Sequence, residues 1–128
     1  MLKGYASYFA AYLVSNLKST DGITRIVLYG SVARDEATKE SDIDIFIEAR
    51  KKTKKFEREI KNVEERFYLS REAAIFKAKG LDNRFSIKHG ELKDWKDLYR
   101  SIASTGIVLY GPYEAQGLPS GTKHSVII

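Results

Sequence analysis

Residues 26–47 read IVLYGSVARDEATKESDIDIFI, and the reading of this stretch decides the fold. It opens on the apolar run Ile26 to Tyr29, which has the character of a strand and stops at Gly30-Ser31. A polar segment able to form a short helix follows, and a second strand is expected from Asp42 to Ile47. Strand side chains alternate, so Asp42, Asp44 and Phe46 share one face while Ile43, Ile45 and Ile47 share the other. Gly30, lacking a Cβ, lets the backbone turn tightly and approach a ligand. Ser31 suits the N-cap of the short helix, whose free N–H groups and positive dipole end attract phosphate oxygens. Asp42 and Asp44 offer the hard oxygen ligands that Mg²⁺ or Mn²⁺ takes, leaving positions for water and phosphates. Two carboxylates so close repel one another, and a cation keeps both ionised. Either half alone is explained by an ordinary turn or strand end. Together, on adjacent strands, they point to a site for metal ions and phosphates.

The order Gly30-Ser31, then Val32 through Ser41, then Asp42-Ile43-Asp44 resembles the signature of the nucleotidyltransferase superfamily that includes DNA polymerase β. It is most similar to the small archaeal and bacterial members, the minimal nucleotidyltransferases. Arg34 and the Ser41-to-Asp44 wording match that family too, and in element order the resemblance covers roughly residues 1–111. The resemblance implies an α/β (α+β) fold, a small mixed β-sheet of four to five strands packed by helices. It also implies transfer of a nucleoside monophosphate from a Mg-bound nucleoside triphosphate, ATP among the candidates, to an acceptor hydroxyl, with release of pyrophosphate. Asp42 and Asp44 would then be the catalytic metal ligands, with Gly30, Ser31 and Arg34 on the phosphates.

One part of the family pattern is missing. Active members carry a third acid on a neighbouring strand, and the corresponding strand here reads Arg84-Phe85-Ser86-Ile87-Lys88-His89. With its apolar face buried, Ser86 and Lys88 point toward the two aspartates, so a lysine stands where an acid is expected. Lys88 opposes a cation but can pair with a phosphate or with Asp42. Asp82 and Glu91 flank the strand, outside the register that fixes metal geometry. The alternative reading is therefore a catalytically weakened nucleotide-binding or partner-binding, antitoxin-like module. In the minimal family such chains accompany a small helical partner protein; a homodimer is the other assembly considered. The acceptor, whether protein, nucleic acid or small molecule, is not identified by these residues.

Composition sets outer bounds. The chain has 128 residues, 43% hydrophobic and 30% charged, with a net charge of +5, as an ordinary single globular domain does. It has no cysteine, which excludes disulfides and thiolate chemistry and fits a reducing cytoplasm. No apolar run approaches the ~18 residues of a membrane span, and the N-terminus lacks a signal-peptide layout. The positive balance favours anionic ligands. The run Arg50 to Lys55 reads first as a solvated loop and helix start. Following a triphosphate tail or a nucleic-acid backbone is the alternative, and the latter is a third reading that needs neither the Gly-Ser nor the Asp-x-Asp feature.

The remaining elements follow from periodicity. Leu2, Tyr5, Phe9, Tyr12 or Leu13, and Leu17 predict a helix over 2–18 with a core-facing stripe. Phe56, Ile60, Val63 and Phe67 predict a long helix, broken near Leu69-Ser70, with a second piece over about 71–79 stopped by Gly80. A third strand is expected over 83–89, a helix carrying Leu92, Trp95, Leu98 and Ile102, and a short strand over 107–110. His89 and His124 form no metal-ligand pair and are expected to be structural or surface residues. Residues 1–111 are expected to form the domain. Residues 112–128 are expected to be a loop and an apolar strand that needs a partner: an edge within this sheet, a dimer mate, or a second domain missing from this chain.

Overall fold

The computed structural model describes residues 1–50 and 53–111, together with the backbone of 123–124. The expectations for the rest of the C-terminal stretch, and for Lys51 and Lys52 of the basic run, lie outside the described residues. The elements run α1 (Leu2–Asn16), β1 (Ile23–Tyr29), α2 (Gly30–Ala33), β2 (Ile43–Ala49), α3 (Lys54–Tyr68), α4 (Arg71–Ala78), β3 (Phe85–Gly90), a 3-10 turn (Leu92–Asp94), α5 (Lys96–Thr105), β4 (Ile107–Tyr110) and the two-residue β5 (Lys123–His124).

The strands form one mixed sheet in the order β3-β2-β1-β4-β5. β1 pairs antiparallel with β2 and with β4, while β2 and β3 are parallel. A parallel pair needs a long crossover, and α3 and α4 provide it. The expected mixed sheet packed by helices is therefore present.

Alternation along the strands feeds two cores. Ile26 and Leu28 of β1, Ile43, Ile45 and Ile47 of β2, and Phe85 of β3 face α1, α3 and α4 in the larger one. There the stripe Phe56, Ile60, Val63 and Phe67 is buried as its spacing predicts. Tyr5, Phe9, Phe67 and Phe85 interlock, Phe9 and Phe85 stacking with centroids 3.9 Å apart. The opposite sheet face gives the smaller core, in which Val27, Tyr29, Phe46 and Val108 meet Leu92, Leu98 and Ile102. Because both faces are covered, the middle of β2 reads as a nearly continuous apolar run.

The break after α3 falls where the phase of the apolar residues shifts. Thr53 caps α3 by accepting from the Phe56 N–H (3.1 Å), and Ser70 caps α4 by accepting from the Ala73 N–H (3.1 Å). Two expectations need correction. The helix predicted through Leu92, Trp95, Leu98 and Ile102 is interrupted: Leu92 lies in the 3-10 turn and Trp95, at φ −123° and ψ 71°, separates it from α5. The Trp95 ring turns back over the sheet, edge-on to Phe46 at 6.3 Å, which a continuous helix would not permit. β2 also runs two residues beyond Ile47, because Glu48 and Ala49 pair with Arg25 and Ile23.

Candidate functional site

The Gly-Ser bend and the Asp-x-Asp segment meet. Tyr29 is the last residue of β1 and stands directly opposite Asp44 in the ladder. The chain then turns at Gly30, whose φ of +75° is a backbone conformation that glycine adopts without strain. A Cβ built there would overlap Asp44 Oδ2 and stand 3.0 Å from its Cγ. Only a residue without a side chain leaves the Asp44 carboxylate its place, so Gly30 serves the approach as well as the turn.

Ser31 is not the N-cap expected of it. The extended Tyr29 occupies that position, and the helix begins at Gly30, so Ser31 falls inside a helix of four residues. The ladder pairing of Tyr29 with Asp44 holds the chain extended up to the glycine, and the helix starts two residues earlier than a Ser31 cap would place it. Arg34 closes α2, its N–H donating to Gly30 O at 3.1 Å. Its side-chain Nε donates to Glu36 Oε1 at 3.1 Å, with both side chains largely exposed.

Asp42 precedes β2 by one residue and is exposed, whereas Asp44 is half-buried. Among the described residues neither carboxylate makes an ion pair or a side-chain hydrogen bond. Burial pushes the Asp44 carboxyl above its ordinary value; Lys88 pulls it back, Asp42 pushes it further, and Arg34 pulls it down. The charges of Lys88, Asp42 and Arg34 thus all act on the Asp44 carboxyl. Tyr29 joins them without having been expected. Its hydroxyl is buried with no hydrogen-bond partner, and burial together with Asp44 pushes it up to about 12.

A second unexpected contributor is Asn83, 7% exposed. Its side-chain amide donates to Ser41 O at 2.8 Å and to Lys39 O at 3.3 Å, tying down the loop that delivers Asp42. Ile43 N–H donates to Arg84 O at 2.8 Å, the next rung of the same attachment. The only signal in the sequence was an asparagine just before a strand, which usually marks a turn.

The flanking acids do not join the site. Asp82 is exposed and acts on Tyr5, and Glu91 pairs with Lys93 at 3.4 Å. Among the described residues no group of three or more His, Cys, Asp and Glu side chains gathers. His89 packs edge-on against Phe56 at 5.8 Å, a structural place, as expected. Trp95 anchors the smaller core. The larger clefts lie elsewhere: one of about 650 Å³ is lined by Lys18, Lys55, Arg58 and Glu59, another of about 440 Å³ by Arg25, Glu48, Arg50 and Tyr99. The aspartate site is instead an open corner of the sheet.

The donor set of this corner suits a divalent cation. It has two carboxylates, one just before β2 and one on it, the second partly desolvated without a bonded counter-ion, beside a bend that a side chain would fill. No helix among the described residues is long and apolar enough to cross a membrane.

No curated protein matches the chain significantly. Two solved structures share its fold. A toxin-antitoxin crystal structure with AMP-PNP is 16% identical, with a TM-score of 0.54, covering 84% of this chain and 75% of that one. A mutant of the toxin-antitoxin MntA-HpeT is 15% identical, with the same TM-score and the same coverage. The model of the nucleotidyltransferase domain family matches residues 11–102, a span that contains Gly30, Ser31, Asp42, Asp44 and Lys88. With that span covering well over half of its length, the chain belongs to the nucleotidyltransferase domain family.

Proposed function

We propose that the protein transfers a nucleoside monophosphate from a metal-bound nucleoside triphosphate, ATP being the first candidate, to an acceptor hydroxyl. The acceptor oxygen bonds to the α-phosphorus, the bond from that phosphorus to the β-phosphate oxygen breaks, and pyrophosphate leaves. The acceptor's proton is released to solvent. The observation that carries this reading is the seating of the Asp44 carboxylate against Gly30, where no Cβ fits.

Asp42 and Asp44 would hold Mg²⁺ or Mn²⁺, which when bound neutralises the phosphates and steadies charge on the attacking and leaving oxygens. The backbone at Gly30 and Ser31 receives the β- and γ-phosphates, a left-handed residue followed by helical ones making a concavity of N–H groups. Arg34 needs only to leave Glu36, an exposed pairing of little strength, to reach a phosphate oxygen. Lys88 faces the same phosphates from β3. Phosphoryl transfer depends chiefly on positioning and electrostatics, which an open corner of a small sheet can supply. Cytoplasm, where such nucleotides are abundant, is the setting that suits a chain without cysteine.

The test is calorimetry with Mg-ATP. Wild-type protein should bind and Asp44→Asn should not; equal binding by both would remove the site assignment.

A second reading is favoured by Lys88, the cation beside Asp44. It is a nucleotide-binding module, paired with a small partner protein or a second copy, that does not turn over. Incubation with α-labelled ATP, divalent metal and candidate acceptors separates the two. Metal-dependent transfer of label supports the enzyme, while binding without pyrophosphate release supports the module.

A further inference from the structure

The strand next to Asp44 presents a cation to the site. β2 and β3 run parallel, with Asp44 opposite Ser86 and Phe46 opposite Lys88. Phe85, Ile43 and Ile45 belong to the larger core, so Ser86 and Lys88 share the other face with Asp44. Neighbouring strands lie about 4.8 Å apart, a gap that a lysine's four-carbon stem spans. The Lys88 charge acts on Asp44 more strongly than that of Asp42 does. Among the described residues no further acid, histidine or cysteine joins the pair.

Two-metal phosphoryl-transfer sites hold their ions roughly 3.5–4 Å apart, with protein carboxylates and substrate phosphate oxygens as ligands. The two aspartates can share one ion between them. A second would have to sit toward β3, where the side chains sharing the face of Asp44 are the neutral Ser86 and the positively charged Lys88. The electrostatics need not suffer, because a carboxylate carrying a divalent ion has the same net charge as one ammonium group. We infer that this site takes a single divalent ion with each nucleoside triphosphate, and that the Lys88 ammonium stands in the place of a second. The inference rests on the nucleotidyl-transfer reading above and fixes the metal stoichiometry of the same site.

The experiment counts metal rather than product. Protein is titrated with Mn²⁺ in the presence of adenosine 5′-(α,β-methylene)triphosphate, whose α–β linkage cannot be broken. Protein-bound Mn²⁺ is read by electron paramagnetic resonance against bound nucleotide. Wild type should bind one Mn²⁺ per nucleotide, and Lys88→Asp should bind two. Two ions on the wild type, or one ion on a folded Lys88→Asp protein, overturns the inference; should Lys88→Asp not fold, the wild-type count decides alone. An identical Mn²⁺ count and affinity in Asp44→Asn overturns the parent reading as well, which keeps the two failures distinguishable.

Discussion

The two ends of one sheet face handle charge in opposite ways. At one end, Arg25 and Glu48 stand opposite each other on β1 and β2 and form an ion pair, their side chains 3% and 15% exposed. At the other end, four ladder positions along β1, Tyr29 stands opposite Asp44, and among the described residues no cation bonds the carboxylate. Between them lies the apolar patch of Val27, Phe46, Leu98 and Ile102. The first end is closed: each charge answers the other, and the pair sits under the strand ladder as part of the fold. The second is open, with two acids gathered at a corner, Lys88 and Arg34 nearby, and a glycine bend that leaves room for something more. A half-buried carboxyl pushed above its ordinary value by burial and by a neighbouring carboxylate, at a corner open to solvent, marks a functional-site candidate. The contrast is therefore the best internal argument that the aspartate corner is a binding site.

The comparison can be broken at four points. The largest effect is expected at the closed end. Glu48→Ala leaves the Arg25 guanidinium buried without its carboxylate and should cost about 3–5 kcal/mol in urea unfolding, with nucleotide binding retained by whatever remains folded. A loss below about 1 kcal/mol would mean that the pair is no more than a surface contact.

At the open end, Gly30→Ala should cost roughly 1–2 kcal/mol for the left-handed backbone alone, before the overlap with Asp44 is counted. The same variant should lose metal-dependent triphosphate binding in calorimetry. Wild-type affinity in a folded Gly30→Ala protein would show that the close approach of bend and carboxylate is not used.

Asn83→Ala removes the clamp on the loop before Asp42 and should lower stability by about 1 kcal/mol. Its sharper signature is a fall of roughly 10-fold in Mn²⁺ affinity, the scale on which residues that orient metal ligands act. Asn83→Asp keeps the size of the side chain but has no N–H to donate, and should not rescue binding.

The smallest effect has the opposite sign. Burial raises the Asp44 carboxyl above the ordinary carboxylate range. As pH climbs from there, the unfolded chain ionises first and the folded state loses stability until the raised value is passed. Asp44→Asn escapes this loss. Without ligand it should melt higher than wild type by about 2 °C near neutral pH, the scale of a few tenths of a kcal/mol, and the gain should vanish below about pH 4. A variant that melts lower than wild type at pH 7 would mean that Asp44 is compensated within the fold, which would make both ends of the face alike.

Much of this was legible in the chain itself. The stripe Phe56, Ile60, Val63 and Phe67 is buried in α3, and Ser70 starts the next helix as a hydroxyl followed by Glu72 suggests. Asp42 and Asp44 lie on the face opposite Ile43 and Ile45 because a strand's period is fixed by its own backbone. Where a neighbour sets the local conformation, the reading slipped. Trp95 looked like a turn of a longer helix, but its ring is drawn to Phe46 across the sheet. Ser31 looked like a cap, but ladder pairing of Tyr29 starts the helix two residues sooner. Arg25 and Glu48 gave no sign of each other, being 23 residues apart with a bend between them.

The sequence by itself determined the periodic elements, the glycine-serine bend, and the pairing of two acids on one strand face. These depend on backbone geometry over a few residues. Only the tertiary structure decided that the bend presses on Asp44, that Asn83 holds the loop before Asp42, and that β3 lies parallel beside β2 in the register that sets Ser86 opposite Asp44. Strand order and register are set by burying two apolar faces at once across the whole chain, a balance that no local window contains.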